Sequence, residues 1–214
     1  MEHNISEPDA VKSHRCNVIA VRHAQSEGNT DASIYLSKAD QDIALTKKGT
    51  KQAEALAKKL IKQLNLNAPI FVYISPFKRT EETAAPFLRL CKNQEIEVNV
   101  IRHNALVERA WGELREKVQN HTKSSQDFTF FVRPEGGESF SDLFARVHPF
   151  LSELRKQHSC KEGQIILFTH GEWIKIARMI CGNLSVSEFD AISRNKVPNC
   201  SITHLNLDSI AANI

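Results

Sequence analysis

The 214 residues are enough for one substantial α/β domain, and 41% hydrophobic residues is an ordinary share for a globular protein. A net charge of +3 is too small to indicate binding to nucleic acid or to a membrane surface. Five dispersed cysteines without a CxxC pair argue against a zinc site and a disulfide framework, and they favour a reducing compartment.

The hydropathy pattern predicts one cytoplasmic domain over residues 1–214. Residues 1–14 are polar and mixed in charge, which predicts a flexible N-terminus, and they contain no apolar run of signal-peptide length. No apolar run approaches the length that spans a membrane. We expect no cofactor and no nucleic-acid or membrane partner, and a homodimer is compatible with the sequence.

The first predicted strand ends in the most informative stretch of the chain. An apolar run over 16–21 comes before Arg22 and His23, and Gly28 and Asn29 then mark a turn. Ligands bind at the carboxyl ends of strands in open α/β sheets. An arginine matches the geometry of phosphate oxygens, and a histidine acts as acid, base or nucleophile. The alternative is a solvated arginine-histidine pair at a strand end.

A helix and a second strand lead to a similar strand end. Apolar residues at three- and four-residue steps predict a helix over about 46–64, and an uninterrupted apolar run predicts a strand over 70–74. Ser75 is a strong N-cap residue and predicts the start of the next helix, with Arg79 in its first turn. Arg79 either faces a ligand at this strand end or pairs with Glu82 on a solvated helix face.

The middle of the chain contains a third predicted strand and an irregular segment. Alternating residues predict the strand over 96–101. The residues over about 113–135 show no clean period, and we expect a mobile, partly helical insertion that covers the active site. Ser139, with Asp142 three residues later, resembles a capping box at the start of a well-patterned helix.

The last third of the chain holds two further predicted strands. A buried strand over 164–169 leads directly into His170 and Gly171, and a helix follows. Unpaired backbone donors at such a helix N-terminus favour an anion. A final strand is predicted over 200–207. Three strand ends therefore carry arginine or histidine side chains that one sheet would bring together.

These pieces together resemble the histidine phosphatase, or phosphoglycerate-mutase-like, superfamily, and they follow the family's order along nearly the whole chain. The matching motifs lie at 22–29, 42–49, 75–84, Glu108, 137–139 and 169–171. The resemblance implies a three-layer α/β/α fold with a mostly parallel central sheet flanked by helices. It also implies that His23 is the phosphorylated nucleophile and that Glu108 donates a proton to the leaving group.

The resemblance further implies a phosphate pocket that needs no metal ion. The expected contacts are Arg22, Asn29, Arg79, Arg109, His170 and Gly171. A carboxyl beside a dianionic phosphate has a raised pKa, which suits Glu108 to proton donation. From the residues alone, Glu108 would be a surface partner of Arg109. Glu172 stands where the family usually has a small or apolar residue, and it adds a negative charge near the pocket.

We therefore expect a metal-independent phosphomonoester hydrolase that acts on a small phosphorylated metabolite through a phosphohistidine. A phosphoglycerate-type phosphomutase is the first alternative, because residues 108–112 partly resemble the mutase branch. A non-catalytic protein that binds phosphorylated ligands is the second. The short and weakly basic segment over 115–133 favours hydrolysis, since a mutase must exclude water from its phosphohistidine.

Overall fold

Five strands form the central sheet of the computed structural model, which describes residues 17–119, 129–158 and 163–210. The strands are β1 (Asn17–Arg22), β2 (Ile70–Ile74), β3 (Asn99–Arg102), β4 (Gln164–Thr169) and β5 (Ile202–Leu205). Their order across the sheet is β3-β2-β4-β1-β5. The first four strands run parallel and β5 pairs antiparallel with β1, so the predicted mostly parallel sheet is confirmed.

Helices cover both faces of this sheet. In chain order they are α1 (Glu27–Thr30), α2 (Ile34–Ser37), α3 (Lys47–Gln63), α4 (Lys78–Asn93), α5 (Leu114–Gln119), α6 (Phe140–His158), α7 (Gly171–Gly182) and α8 (Val186–Ser193). Helices α3 and α4 pack together on one face, and α6 and α7 pack together on the other. The predicted three-layer arrangement is therefore confirmed.

Two hydrophobic cores hold these layers together. Alternate side chains of the strands pack against α3 and α4, among them Ile19, Val21, Val72, Ile74, Ile166 and Phe168. The intervening side chains pack against α6 and α7, among them Val18, Ala20, Ile165 and Leu167. A strand that is covered on both faces has no solvent side to fill with polar residues. This is why β1, β2 and β4 are almost continuously apolar.

Two predicted helix starts are confirmed in detail. The backbone N–H of Gly49 donates to the Thr46 side chain at 3.0 Å, which caps α3. At the start of α6, the Asp142 backbone N–H donates to Ser139 Oγ at 3.1 Å, and the Ser139 backbone N–H donates to the Asp142 carboxylate at 2.8 Å. These reciprocal bonds form a capping box that fixes the position at which α6 begins.

The predicted start of α4 at Ser75 is wrong. The helix begins at Lys78 with Phe77 as its N-cap residue, and the Ser75 hydroxyl lies 2.8 Å from Nε2 of His170 instead. Two strand boundaries also differ from the prediction. The edge strand β3 starts later, where β2 lies opposite, and β5 starts after Cys200, whose φ of 57° interrupts extended backbone.

Some predictions fall on parts of the chain outside the described residues. These parts include the N-terminal segment 1–14 and residues 120–128 of the predicted insertion. Of that insertion, the structure describes α5 and the residues from 129 onward. The single domain over 1–214 stays a prediction. Within the described ranges, no helix combines the length and the apolar character needed to cross a membrane.

Candidate active site

The carboxyl ends of β1, β2 and β4 meet at one edge of the sheet. The backbone N–H of His23 donates to the Thr169 carbonyl at 3.0 Å, and the backbone N–H of Ser75 donates to the Phe168 carbonyl at 3.0 Å. These bonds extend the sheet by one residue and fix the positions at which the loops begin. Beyond them lies a cavity of about 600 Å³, whose lining includes Arg22, His23, Asn29, Arg79, Glu108 and Gly171.

His23 is buried in this cavity and its ring orientation is fixed. Nδ1 lies 2.8 Å from the Ala24 carbonyl oxygen, which only accepts hydrogen bonds, so Nδ1 carries the proton of the neutral ring. Burial, followed by the charges of Arg79 and Arg22, holds the pKa of His23 well below its usual value of 6.5. The imidazole is therefore neutral, with a lone pair on Nε2 that can attack an electrophile.

His170 lies beside His23, with the two ring centroids 5.3 Å apart. Its Nε2 shares a hydrogen bond with the Ser75 hydroxyl, and within the described residues its Nδ1 is buried with no partner. Burial, followed by the charge of Arg79, also holds the pKa of His170 well below its usual value. If the hydroxyl donates to Nε2, Nδ1 carries a proton that can be donated to a ligand.

The two predicted arginines each keep a buried Nε–H that has no acceptor among the described residues. Arg22 lies against Gly171, where an added Cβ would come within 3.3 Å of Arg22 Nε. A side chain at position 171 would crowd that guanidinium, so glycine preserves the room for Arg22 and for an anion beside it. A buried donor without an acceptor is rare in native proteins and often indicates an ion or a ligand.

Arg79 pairs with Asp40 and makes no pair with Glu82. Arg79 Nη1 donates to the Asp40 carboxylate at 2.8 Å and to the Asp40 carbonyl at 2.7 Å. Glu82 instead accepts a hydrogen bond from the Leu45 backbone at 2.7 Å. Asp40 also accepts from Arg115 at 2.6 Å, which links α5 to the edge of the cavity. Sequence reasoning predicted Arg79 as a site residue but missed its partner Asp40 and the link to Arg115, because the three residues come from separate segments.

Asn29 is held in one orientation by two donors. Its Oδ1 accepts from the Ser26 backbone at 3.2 Å and from Asn199 Nδ2 at 3.0 Å. Because the oxygen is occupied, the amide NH₂ is the end left to donate into the cavity that Asn29 lines. Asn199 Nδ2 also donates to the His23 carbonyl at 2.9 Å, so it positions two site residues that sequence reasoning did not connect with it.

Glu108 is a partly buried carboxyl at the N-terminus of α7. It accepts hydrogen bonds from the backbone N–H groups of Trp173 at 3.2 Å, Glu172 at 3.3 Å and Arg109 at 3.1 Å. The backbone donors of Glu172 and Trp173, which sequence reasoning left for an anion, are therefore used by this side chain. Burial, followed by the negative charge of Glu172, raises the pKa of Glu108, although Arg79 and Arg22 oppose the change.

Arg109 does not line the cavity, in contrast to the predicted phosphate contact. Its Nε pairs with the Glu172 carboxylate, its Nη1 donates to the Glu138 carbonyl at 3.0 Å, and its guanidinium lies 4.3 Å from the Phe140 ring centre. These groups hold the side chain behind Glu172. Arg109 therefore balances the charge of Glu172, and we do not assign it to the phosphate pocket.

Among the residues that the structure describes, no group of three or more His, Cys, Asp or Glu side chains is arranged to hold a metal ion. The positive charge at the sheet edge comes from Arg22 and Arg79. With His170 and Asn29 beside them, the cavity combines a neutral imidazole nucleophile, several hydrogen-bond donors and a carboxyl of raised pKa. This combination suits transfer of an anionic group to His23.

Comparisons with known proteins agree with this geometry. The chain matches the histidine phosphatase superfamily, branch 1, over residues 18–213. It is 33% identical to phosphoserine phosphatase 1 of Hydrogenobacter thermophilus over 179 residues, which cover 79% of this chain and 76% of that protein. It is 27% identical to a phosphoglycerate mutase-like protein of Arabidopsis thaliana over 192 residues, which cover 82% of this chain and 60% of that protein.

The fold is also found among solved structures. A mycobacterial glucosyl-3-phosphoglycerate phosphatase in complex with VO3 superposes with a TM-score of 0.71 and 22% sequence identity. The superposition covers 92% of this chain and 95% of the mycobacterial chain. At this identity the match establishes the fold that the two chains share.

Proposed function

The chain belongs to the histidine phosphatase superfamily, branch 1, and from that premise we propose that it hydrolyses small phosphomonoesters through a phosphohistidine formed on His23. One observation carries the proposal. Three buried polar atoms at the same sheet edge, Arg22 Nε, Arg79 Nε and His170 Nδ1, have no hydrogen-bond partner among the described residues. Donors of this kind match the oxygens of a phosphoryl group beside the His23 imidazole.

The first chemical step transfers the phosphoryl group to His23. The lone pair of neutral Nε2 attacks phosphorus while the bond to the ester oxygen breaks, and protonated Glu108 gives its proton to the leaving alkoxide. Negative charge spreads over the remaining phosphoryl oxygens, where Arg22, Arg79 and His170 stabilise it. The raised pKa of Glu108 supports this role, because the carboxyl must hold its proton until the leaving group departs.

The second step returns the enzyme to its starting state. Water attacks the phosphohistidine, the phosphorus–nitrogen bond breaks, and ionised Glu108 accepts the proton that the water releases. Inorganic phosphate then leaves, with His23 neutral again and Glu108 protonated. Fixed arginines supply the charge stabilisation in both steps, so the proposal includes activity without a divalent metal ion. We expect chelators to leave the rate nearly unchanged and vanadate, which mimics five-coordinate phosphorus, to inhibit.

A phosphomutase is the second candidate, and the similarity to the Arabidopsis phosphoglycerate mutase-like protein favours it. A mutase must keep water from the phosphohistidine until the intermediate returns. We expect hydrolysis to dominate. A direct comparison is phosphate release against interconversion of 3-phosphoglycerate and 2-phosphoglycerate, with a bisphosphoglycerate primer, in the same reaction. Much faster interconversion would identify a mutase instead.

The nucleophile is tested by substitution and by trapping. We expect His23→Ala to abolish phosphate release from p-nitrophenyl phosphate and to prevent formation of an acid-labile phosphoprotein. His204, which is exposed on β5, provides the matched control, and His204→Ala should retain both. Circular dichroism verifies that each variant is folded. Substantial turnover by folded His23→Ala would exclude the mechanism.

A further inference from the structure

The cavity continues past the phosphate-binding groups to a basic wall that the mechanism above does not use. We propose that this wall, formed by Arg194 and Lys196, binds a second anionic group on the leaving group of the substrate. The inference rests on the proposed function, because it assigns the substrate class of the same site. It concerns residues that come from the segment after α8, well away from the motifs of the sequence analysis.

The size of the cavity leaves room for more than a phosphoryl group. Its volume of about 600 Å³ lies within the range of roughly 300–1,000 Å³ that is usual for pockets holding whole organic ligands. The phosphoryl group occupies the end formed by His23 and the strand ends. The remaining volume must therefore be filled by the leaving group, and the residues of the far wall contact it.

The charges that line the cavity are unbalanced. Six cationic side chains line it: Arg22, Arg79, Arg115, Lys175, Arg194 and Lys196. Three carboxylates line it as well, and two of them have arginine partners. Asp40 binds Arg79 and Arg115, and Glu172 binds Arg109 from outside the cavity. Across the described part of the chain, neither Arg194 nor Lys196 makes an ion pair. The wall is therefore electropositive beyond what one phosphoryl group requires.

Two hydrogen bonds hold this wall in place. Lys175 Nζ donates to the Ser193 carbonyl at the end of α8, and Arg22 Nη1 donates to the Val197 carbonyl. The segment that carries Arg194 and Lys196 is thus anchored at both ends, once by a phosphate-site arginine. Lys175 lies four residues after Gly171 on the same face of α7, about 6 Å further along the helix axis. Through its bond to Ser193, Lys175 ties the start of this segment to α7, about one helix turn beyond Gly171.

A solvated surface cluster is the alternative, since both basic side chains are exposed. A matched pair of substrates distinguishes the two interpretations. 3-Phosphoglycerate and glycerol 3-phosphate share a carbon skeleton. The first has a carboxylate where the second has a hydroxymethyl group. We expect kcat/KM to be at least about tenfold higher for 3-phosphoglycerate, because charged hydrogen bonds are strong and directional. Glycerol 1,3-bisphosphate tests whether a phosphate serves better as the second anion.

Substitution of Arg194 and Lys196 tests whether the wall causes this preference. The double variant Arg194→Ala/Lys196→Ala should reduce the preference for the carboxylate substrate about tenfold, and added salt should weaken it in the intact chain. Arg178, which is exposed on α7 and does not line the cavity, provides the control. Arg178→Ala should keep the preference unchanged. A preference that is absent from the intact chain, or that survives the double variant, would overturn the inference.

A binding measurement separates this inference from the proposed function. Calorimetric titration of the His23→Ala chain with the same two substrates measures the preference without turnover. If p-nitrophenyl phosphate is not hydrolysed by the intact chain, the proposed function fails, yet the carboxylate preference in binding still supports the basic wall. If hydrolysis occurs and both ligands bind equally well, the wall is a solvated surface and the inference fails alone.

Discussion

The two ends of the cavity are built in different ways. At the phosphate end, Arg22, His23, Arg79 and His170 follow β1, β2 and β4, and each is at most 8% exposed. At the outer end, the exposed residues Arg194 and Lys196 belong to the segment after α8, which hydrogen bonds from Arg22 and Lys175 hold in place. A sheet packed on both faces fixes its strand ends firmly, whereas loops vary more easily. We infer that the phosphate end determines the reaction and that the outer end selects the leaving group.

Among the tests of this comparison, substitution of the Glu108 carboxyl, which lines the cavity, should have the largest effect. Glu108→Gln keeps one oxygen, which can accept from the backbone N–H groups of Arg109 and Trp173 as Oε1 does, but it has no acidic proton. We expect kcat/KM to fall about 10²–10⁴-fold for an alkyl phosphate, whose alkoxide needs a proton, and much less for p-nitrophenyl phosphate. Glu97→Gln, at an exposed position before β3, is the control. Equal losses for both substrates would indicate that Glu108 only positions them.

Two arginines that share one carboxylate sharpen the comparison further. Arg79 and Arg115 both bind Asp40, but the Arg79 side chain is 2% exposed and that of Arg115 is 20% exposed. We expect Arg79→Ala to lower kcat about 10²–10³-fold, as the loss of a transition-state donor does. Arg115→Ala should mainly raise KM, by about fivefold or less. Similar losses of kcat in the two variants, measured with p-nitrophenyl phosphate, would contradict the assignment of the reaction to the side chains that follow the strands.

Sequence reasoning predicted that the side chains after β1, β2 and β4 would meet, and the reason is physical. Parallel strands bring their carboxyl ends to one edge, so side chains that follow separate apolar runs must meet. Arg22, His23, Arg79 and His170 are placed by this rule, and the sheet order β2-β4-β1 makes their strands neighbours. The hydrogen bond from Asn199 to the His23 carbonyl was found only in the structure. No periodicity in the sequence connects a loop residue with a strand end 176 positions away.

The errors have equally specific causes. The predicted helix cap at Ser75 is wrong because a hydroxyl that follows a strand can bond either to a helix N-terminus or to a neighbouring side chain. Here the Ser75 hydroxyl bonds to His170. Arg109 was expected in the phosphate pocket because the family resemblance over residues 108–112 implied it. In the fold it contacts Glu172 and Phe140, and no local pattern encodes such a distant pairing. Sequence reasoning did not single out Arg194 and Lys196, because exposed basic residues are common in solvated loops, and only the structure shows that both line the cavity.

A smaller effect is expected at the residue that ties the outer segment to the nucleophile. Asn199→Ala removes the donor to the His23 carbonyl and to Asn29 Oδ1, so the Asn29 amide can rotate. We expect kcat to fall about tenfold and the free energy of unfolding to fall by about 1 kcal/mol, the usual value of a lost hydrogen bond. The inhibition constant of vanadate should rise as well. Asn195→Ala, at an exposed position of the same segment, is the control.

An effect on stability alone would change the interpretation of Asn199. If Asn199→Ala lowers the Tm but leaves the vanadate inhibition constant and kcat unchanged, the residue only supports the fold. A rise in the inhibition constant without a change in the Tm would place its whole effect on the site. The two readouts therefore distinguish a positioning residue from a structural one.

The smallest expected effect is a shift in pH dependence caused by Glu172. In the proposed mechanism Glu108 acts in its protonated form. We therefore expect activity to fall as the pH rises through the pKa of Glu108, which burial and the negative charge of Glu172 raise. Glu172→Gln removes that charge and lowers this pKa, so the loss of activity should begin at a lower pH. The loss of activity at low pH reflects protonation of His23, whose pKa lies well below 6.5, and this part of the pH profile should not move. The active range therefore narrows from its basic side.

The variant keeps an amide oxygen for Arg109 Nε but leaves the buried guanidinium without its countercharge, which destabilises the fold. Glu172→Gln/Arg109→Gln removes both charges and serves as the second variant. The kcat/KM profile of an alkyl phosphate, which reports the free enzyme, should show the shift in both variants. p-Nitrophenyl phosphate, which needs little protonation, should show it weakly. A basic limb that does not move in either variant would mean that the charge of Glu172 does not control the pKa of Glu108.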